Sequence, residues 1–173
     1  IGFLAYPVFN LGPGFRASGL TGRGSRNAGT EQSLASVGRV LALKTTKRSF
    51  VMVRIPAGEF IMGSPPGHGH QDEFPPHVVF LDEYLIGRGP ATAAEYSLFL
   101  NEAGNPNWDY LEPSEHSTII YRDKMYRPRQ GLSDYPANGA TWFGARAFCQ
   151  WLSEKTGKRF DLPSEAQDRK SVR

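Results

Sequence analysis

Thr92 and Glu95 stand three residues apart at the head of an apolar stripe. This spacing constrains local structure more than any other feature of the chain. A threonine before a helix accepts from the amide of the third helical residue, and a glutamate there reaches back to the threonine amide. Tyr96, Phe99, Leu100 and Ala103 then recur at i, i+3, i+4 and i+7, one buried face of a helix. Gly104 follows where glycine ends helices, because the left-handed conformation costs it little. The pattern recurs downstream: Thr141 caps, Ala145, Phe148, Cys149 and Leu152 form the stripe, and Gly157 stops it. Two such helices stand among short strands and long loops.

The strands are read from alternation. Phe50-Val51-Met52-Val53-Arg54-Ile55 is rich in β-branched residues. Pro56-Ala57-Gly58 supplies a turn, and Glu59-Phe60-Ile61-Met62 returns, so these two strands are expected to form a hairpin. Residues 64–76 hold four prolines and read as loop. His77-Val78-Val79-Phe80-Leu81 is the next strand, with Tyr84-Leu85-Ile86 continuing it past a bend. Residues 105–134 form a long insertion with a short hairpin at 121–126; loops of such length are uncommon unless functional. Phe160-Asp161-Leu162 reads as a short strand, and Ser164 with Glu165 opens a third helix.

Charge separates the chain into two parts. Residues 1–49 carry seven Lys or Arg against Glu31 alone, whereas the remainder holds 13 basic and 16 acidic residues. Eight glycines and no sustained period mark 1–49 as a disordered or linker-like basic segment, with a weak helix at 33–43. The mildly acidic remainder lacks the clustered basic face of a nucleic-acid binder. No stretch approaches the ~18 apolar residues of a membrane span. One cysteine excludes an intrachain disulfide and fits any redox compartment.

Four blocks, in order, resemble the formylglycine-generating enzyme family, also called sulfatase-modifying factor domains. They are Met52-Val53-Arg54-Ile55-Pro56-Ala57-Gly58-Glu59-Phe60-Ile61-Met62-Gly63-Ser64; then Asp72-Glu73 with Pro76-His77-Val78; then Ala91-Thr92 with Glu95-Tyr96. The last runs from Tyr135-Pro136 through Thr141-Trp142, Ala145, Phe148-Cys149 and Trp151 to Gly157-Lys158 and Leu162-Pro163-Ser164-Glu165-Ala166. The resemblance covers 50–167 and implies the N-terminal part of a C-type-lectin-like α+β domain. It further implies a bacterial, metal-dependent oxidoreductase that uses O₂ on cysteine or thiol substrates, including protein or peptide substrates. Copper or non-haem iron, with structural calcium, would be its metals. The family pattern continues past Gln167 with W-E-Y-A-x-R and a further half domain that holds the redox cysteine pair. Here stand Asp168-Arg169-Lys170-Ser171-Val172-Arg173 instead, so 168–173 reads as a non-native tail. The expectation is a fragment that is itself inactive, with no catalytic, cofactor-binding or metal residues. The alternative is a non-catalytic C-type-lectin-like binding module.

Several residues carry a chemical reading beside a structural one. His68 and His70, with Asp72, Glu73 and His77, have the donor types of a zinc or iron site, but their Gly- and Pro-rich run would not preorganise ligands. Cys149 sits in an apolar stripe and reads as an inert buried thiol, since reactive thiols want electropositive, partly exposed surroundings. Glu165 suits the first turn of a helix better than acid–base catalysis. Asp161 stands where the family favours arginine, which removes a family salt bridge. Trp108, Tyr110, Tyr121 and Tyr126 either line a groove or pin the insertion to the domain, and packing is the favoured reading. Half a domain would also leave the apolar faces of both helices uncovered.

Overall fold

The computed structural model describes residues 8–10, 40–44, 49–112 and 114–172. Strands β1 (Val8–Asn10), β2 (Val40–Lys44), β3 (Ser49–Ile55), β4 (Gly58–Met62), β5 (His77–Leu81) and β6 (Tyr84–Gly87) precede helix α1 (Ala93–Ala103). The hairpin β7 (Ile119–Arg122) and β8 (Met125–Pro128) follows, then α2 (Trp142–Thr156), β9 (Phe160–Asp161) and α3 (Glu165–Ser171). Five strands form one antiparallel sheet in the order β2-β3-β6-β1-β9, and β4-β5 and β7-β8 are separate two-stranded ribbons.

The two capped helices form as the sequence predicts. Thr92 Oγ1 accepts from the Glu95 amide at 3.3 Å, and the Thr92 amide donates to Glu95 Oε2 at 2.8 Å. Thr141 Oγ1 accepts from the Gly144 amide at 3.0 Å, and Gly157 ends α2 at φ 67°. The α2 stripe is buried as expected. On α1, however, Ala103 is exposed, while Ala93 and Ser97 are buried beside Tyr96, Phe99 and Leu100. The face is therefore set one turn nearer the N-terminus, and the last turn overhangs the core. Ser97 tolerates burial because its hydroxyl donates to the Ala93 carbonyl at 2.7 Å.

The helices cover each other. Phe148, fully buried, meets Tyr96 at 5.5 Å and Phe99 at 5.7 Å between ring centroids, and Phe99 stacks on Tyr110 at 5.5 Å. Met52 of β3, Leu85 of β6, Ile119 of β7 and Phe160 of β9 complete this core. The expectation of uncovered helix faces does not hold, because each apolar stripe packs against the other and against the sheet.

The strands exist where alternation placed them, but two pairings differ. β3 does not form a hairpin with β4: it pairs with β2 and β6, while β4 pairs with β5. Pro56 and Gly58 turn a corner between sheets rather than reversing the chain, with Gly58 at φ 150°. β6 likewise leaves the β4-β5 ribbon and joins the large sheet, where an Arg54–Glu83 ion pair links β3 to the start of β6. Two segments of the stretch read as linker-like are strands. β1 pairs with β6 and β9, and residues 40–43 of the expected weak helix lie in β2; residues 33–39 fall outside the described ones. Runs of three and five residues are too short to show a period, and distant partners supply their hydrogen bonds.

The long insertion is ordered by polar side chains. The expected hairpin spans β7-β8, with Asp123 and Lys124 at φ 54° and 60°, a mirror-image turn that suits strand twist. Asn101 fastens it to α1, donating to the Tyr126 carbonyl at 2.9 Å and accepting from its amide at 2.7 Å. Arg129 holds the approach, donating to the Ser117 and Glu115 carbonyls at 2.6 and 2.8 Å.

Candidate functional site

A cleft of about 210 Å³ opens between loop 63–77 and helix α3. Met62 and Gly63 come from the end of β4, Asp72, Glu73, Phe74 and Pro75 from the loop, His77 from the start of β5, and Glu165 and Arg169 from α3. The loop is drawn tight at its base. The Ser64 amide donates to the Glu73 carbonyl at 3.1 Å, and the Ser64 hydroxyl donates to the Glu73 carboxylate. Gly63 has φ 107°, and a Cβ there would lie 2.6 Å from the Glu73 carbonyl oxygen, so only glycine allows this approach.

Electrostatics follow from these contacts. The Ser64 hydrogen bond holds the Glu73 carboxyl below its ordinary value; burial opposes it, and Arg169 and His70 lend lesser support. Arg169 also pairs with Glu165 at 3.5 Å, one helical turn away. His77 Nδ1 lies 3.0 Å from the Pro75 carbonyl; a carbonyl only accepts, so this nitrogen carries a proton. The cleft thus presents Asp72, Glu73 and Glu165 around one guanidinium, a surface suited to polar recognition. It holds no nucleophile with an adjacent base.

The floor behind α3 is polar. Tyr84 is buried and donates its hydroxyl to the Gln167 carbonyl at 2.6 Å. Burial, then the Asp168 carboxylate, pushes its phenol up to about 12, so it remains a donor at neutral pH. Lys170 donates to the Pro56 and Gly58 carbonyls at 2.9 Å each, tying α3 to the corner between β3 and β4.

The fold brings Asp72, Glu73, His77 and Glu165 together but leaves His68 and His70 exposed and outside the lining. No group of three or more His, Cys, Asp or Glu among the described residues is placed to hold a metal ion. The donor set there does not fit copper, which favours paired thiolates, or iron held by clustered histidines. Cys149 is buried under the core rings, and burial, then Asp161, pushes its thiol up to about 12, so it is protonated and unreactive at neutral pH. Asp161 uses its carboxylate locally, accepting from the Leu162 amide at 2.9 Å. Of the insertion aromatics, Tyr110 and Tyr126 pack on the core, whereas Trp108 and Tyr121 are about half exposed. Arg169 is the cleft residue that sequence reasoning missed, because 168–173 read as foreign; the i,i+4 spacing from Glu165 was its available signal.

The family model for the sulfatase-modifying factor enzyme 1-like domain matches residues 40–173. The chain belongs to this family. Serine/threonine-protein kinase Pkn1 of Chlamydia trachomatis serovar L2 is 33% identical over 125 residues, which are 67% of this chain and 18% of Pkn1. Hercynine oxygenase of Mycolicibacterium smegmatis is 26% identical over 133 residues, 66% of this chain and 29% of that protein. The solved structure of PvdO from Pseudomonas aeruginosa superimposes with a TM-score of 0.55 at 30% identity, over 76% of this chain and 49% of PvdO. The chain therefore spans less than a third of these curated relatives and about half of PvdO. The mixed architecture of small antiparallel sheets and, among the described residues, three α-helices is a sulfatase-modifying-factor-like fold. No helix among the described residues is long and apolar enough to cross a membrane.

Proposed function

We propose that these residues form the N-terminal portion of a C-type-lectin-like domain in a metal-dependent oxidoreductase that acts on cysteine or other thiol substrates, including a protein or peptide. The kinship with hercynine oxygenase within one family carries this reading. In it, the present residues supply scaffold and the polar cleft, and the chain alone is inactive. Cys149 is buried and protonated, and no other thiol is present to act as a redox group. Copper or non-haem iron, and structural calcium, would be held by residues beyond those described. The test compares this chain with the product of the complete open reading frame. Each is given O₂ with either copper and a cysteine-containing sulfatase-motif peptide, or iron(II) and a thiol with a histidine-derived acceptor. Aldehyde or sulfoxide from the longer protein alone is the expected result. Product from the 173-residue chain, or none from either, overturns the reading.

The Pkn1 relatives favour a second reading, a non-catalytic binding module. There the matched segment is 18% of a protein named for kinase activity. A cysteine pair or clustered histidines elsewhere in the gene would decide for the oxidoreductase, and neither would decide for the module.

A further inference from the structure

Helix α3 is fastened unlike the other two helices. α1 and α2 each bury five residues, whereas no residue of α3 is buried. Polar bonds from distant elements hold it instead. Tyr84 of β6 donates to the Gln167 carbonyl at 2.6 Å, and Lys170 reaches back to donate to the Pro56 and Gly58 carbonyls at 2.9 Å each. Within itself the helix is well encoded: Ser164 and Gln167 form a reciprocal capping box, and Glu165 pairs with Arg169. Yet a helix of seven residues does not persist in water without a surface to lie on. Its order therefore depends on tethers such as these. Upstream the chain is fixed, because Phe160 is buried in the core and Leu162 packs against it. Pro163 and Ser164 are the short link between that fixed strand and the helix.

We propose that α3 is a releasable wall of the cleft, which swings away at Pro163-Ser164 when the Lys170 and Tyr84 bonds break and leaves an open groove. α3 supplies Glu165 and Arg169 to the lining, while Met62, Asp72, Glu73 and His77 stay with the β4-β5 ribbon and its loop. Release thus takes the guanidinium away from the loop carboxylates and opens the way to Met62. Elements with few buried apolar contacts open at far lower free energy than the whole fold, and ligand-binding elements are drawn from among them. The proposal goes beyond the functional reading above and holds whatever the cleft binds.

Native-state hydrogen exchange tests it in this chain. The Asp168 amide, bonded to the Ser164 carbonyl at 3.0 Å, reports α3, and the amides of Phe148 and Leu152 report α2. Asp168 should exchange faster, at a rate that low urea hardly changes, because release exposes little surface; the α2 amides should follow the urea dependence of unfolding. Lys170→Met removes two hydrogen bonds from a charged donor, so Asp168 exchange should rise by about tenfold or more while the α2 amides change by less than about twofold. Tyr84→Phe should act in the same direction. Met62→Cys places a thiol in the cleft, the native one being buried, and its maleimide labelling should speed up when Lys170→Met is added. Asp168 exchange that tracks α2 at every urea concentration overturns the proposal. So does an Asp168 rate unmoved by Lys170→Met, an equal rise in α2, or labelling at position 62 that stays the same.

Discussion

Phe148→Ala is expected to remove a large share of the stability of this chain, and Phe143→Ala, five residues earlier on the same helix, almost none. Phe148 is fully buried and meets three other rings at 5.5–5.7 Å, those of Tyr96, Phe99 and Trp151. Phe143 is 65% exposed. Truncating a buried phenylalanine costs about 3–5 kcal/mol through lost transfer energy and the cavity left behind. Lost edge and stacking contacts place this site towards the upper end of that range. A domain has only ~5–15 kcal/mol in total. At ~2–4 °C per kcal/mol for a chain of this size, Tm should fall by roughly 6–20 °C for Phe148→Ala. An exposed change stays within about 0.5 kcal/mol. Urea unfolding followed by tryptophan fluorescence and far-ultraviolet circular dichroism measures both. A Phe148→Ala loss under about 1 kcal/mol, or a Phe143→Ala loss of equal size, would show that the inter-helix core is not where the structure places it.

Alkaline pH should destabilise the chain. The Cys149 thiol and the Tyr84 phenol have folded values raised to about 12, so the folded state keeps protons that the unfolded chain releases. Their stabilisation is complete below the unfolded values and is lost as pH rises towards 12, at up to about 1.4 kcal/mol per pH unit for each group. Cys149→Ala should flatten the slope between pH 9 and 10, and an unchanged slope refutes the burial of the thiol. Glu102 accepts from Trp151 Nε1 at 3.0 Å and pairs with Lys155 at 2.5 Å, joining α1 to α2. Both partners of the pair are near half exposed, so Glu102→Ala should cost under about 1 kcal/mol, with the ionic part vanishing in high salt; a salt-independent loss would contradict this. Thr92→Ala breaks a capping box and should cost about 1 kcal/mol, with Thr92→Ser largely restoring it in thermal melts.

What was legible in the sequence is what depends on near neighbours. The caps at Thr92 and Thr141, the stop at Gly157 and the β7-β8 hairpin need groups only a few residues apart, so spacing encodes them. The apolar stripe of α2 was likewise readable, because helical period alone selects its buried face. The family blocks were also written in the sequence, and the family match extends over them. The candidate cleft was only half legible. Asp72, Glu73 and His77 stood out as polar neighbours, but nothing local said that Glu165 and Arg169 would close over them.

From residue 49 onward the sequence by itself determined which segments are helix or strand and where most of them stop, whereas β1 and β2 were not legible in it. Tertiary structure decided who pairs with whom. A strand exposes hydrogen-bonding groups on both edges, and its own residues do not name the partner that will satisfy them. So β3 turns from β4 to β2 and β6, and residues 8 and 9 meet Asp161 and Phe160 across most of the chain. The same long-range closure buries Cys149, gathers the carboxylates around Arg169, and leaves Ile61, Val78 and Phe80 facing outward.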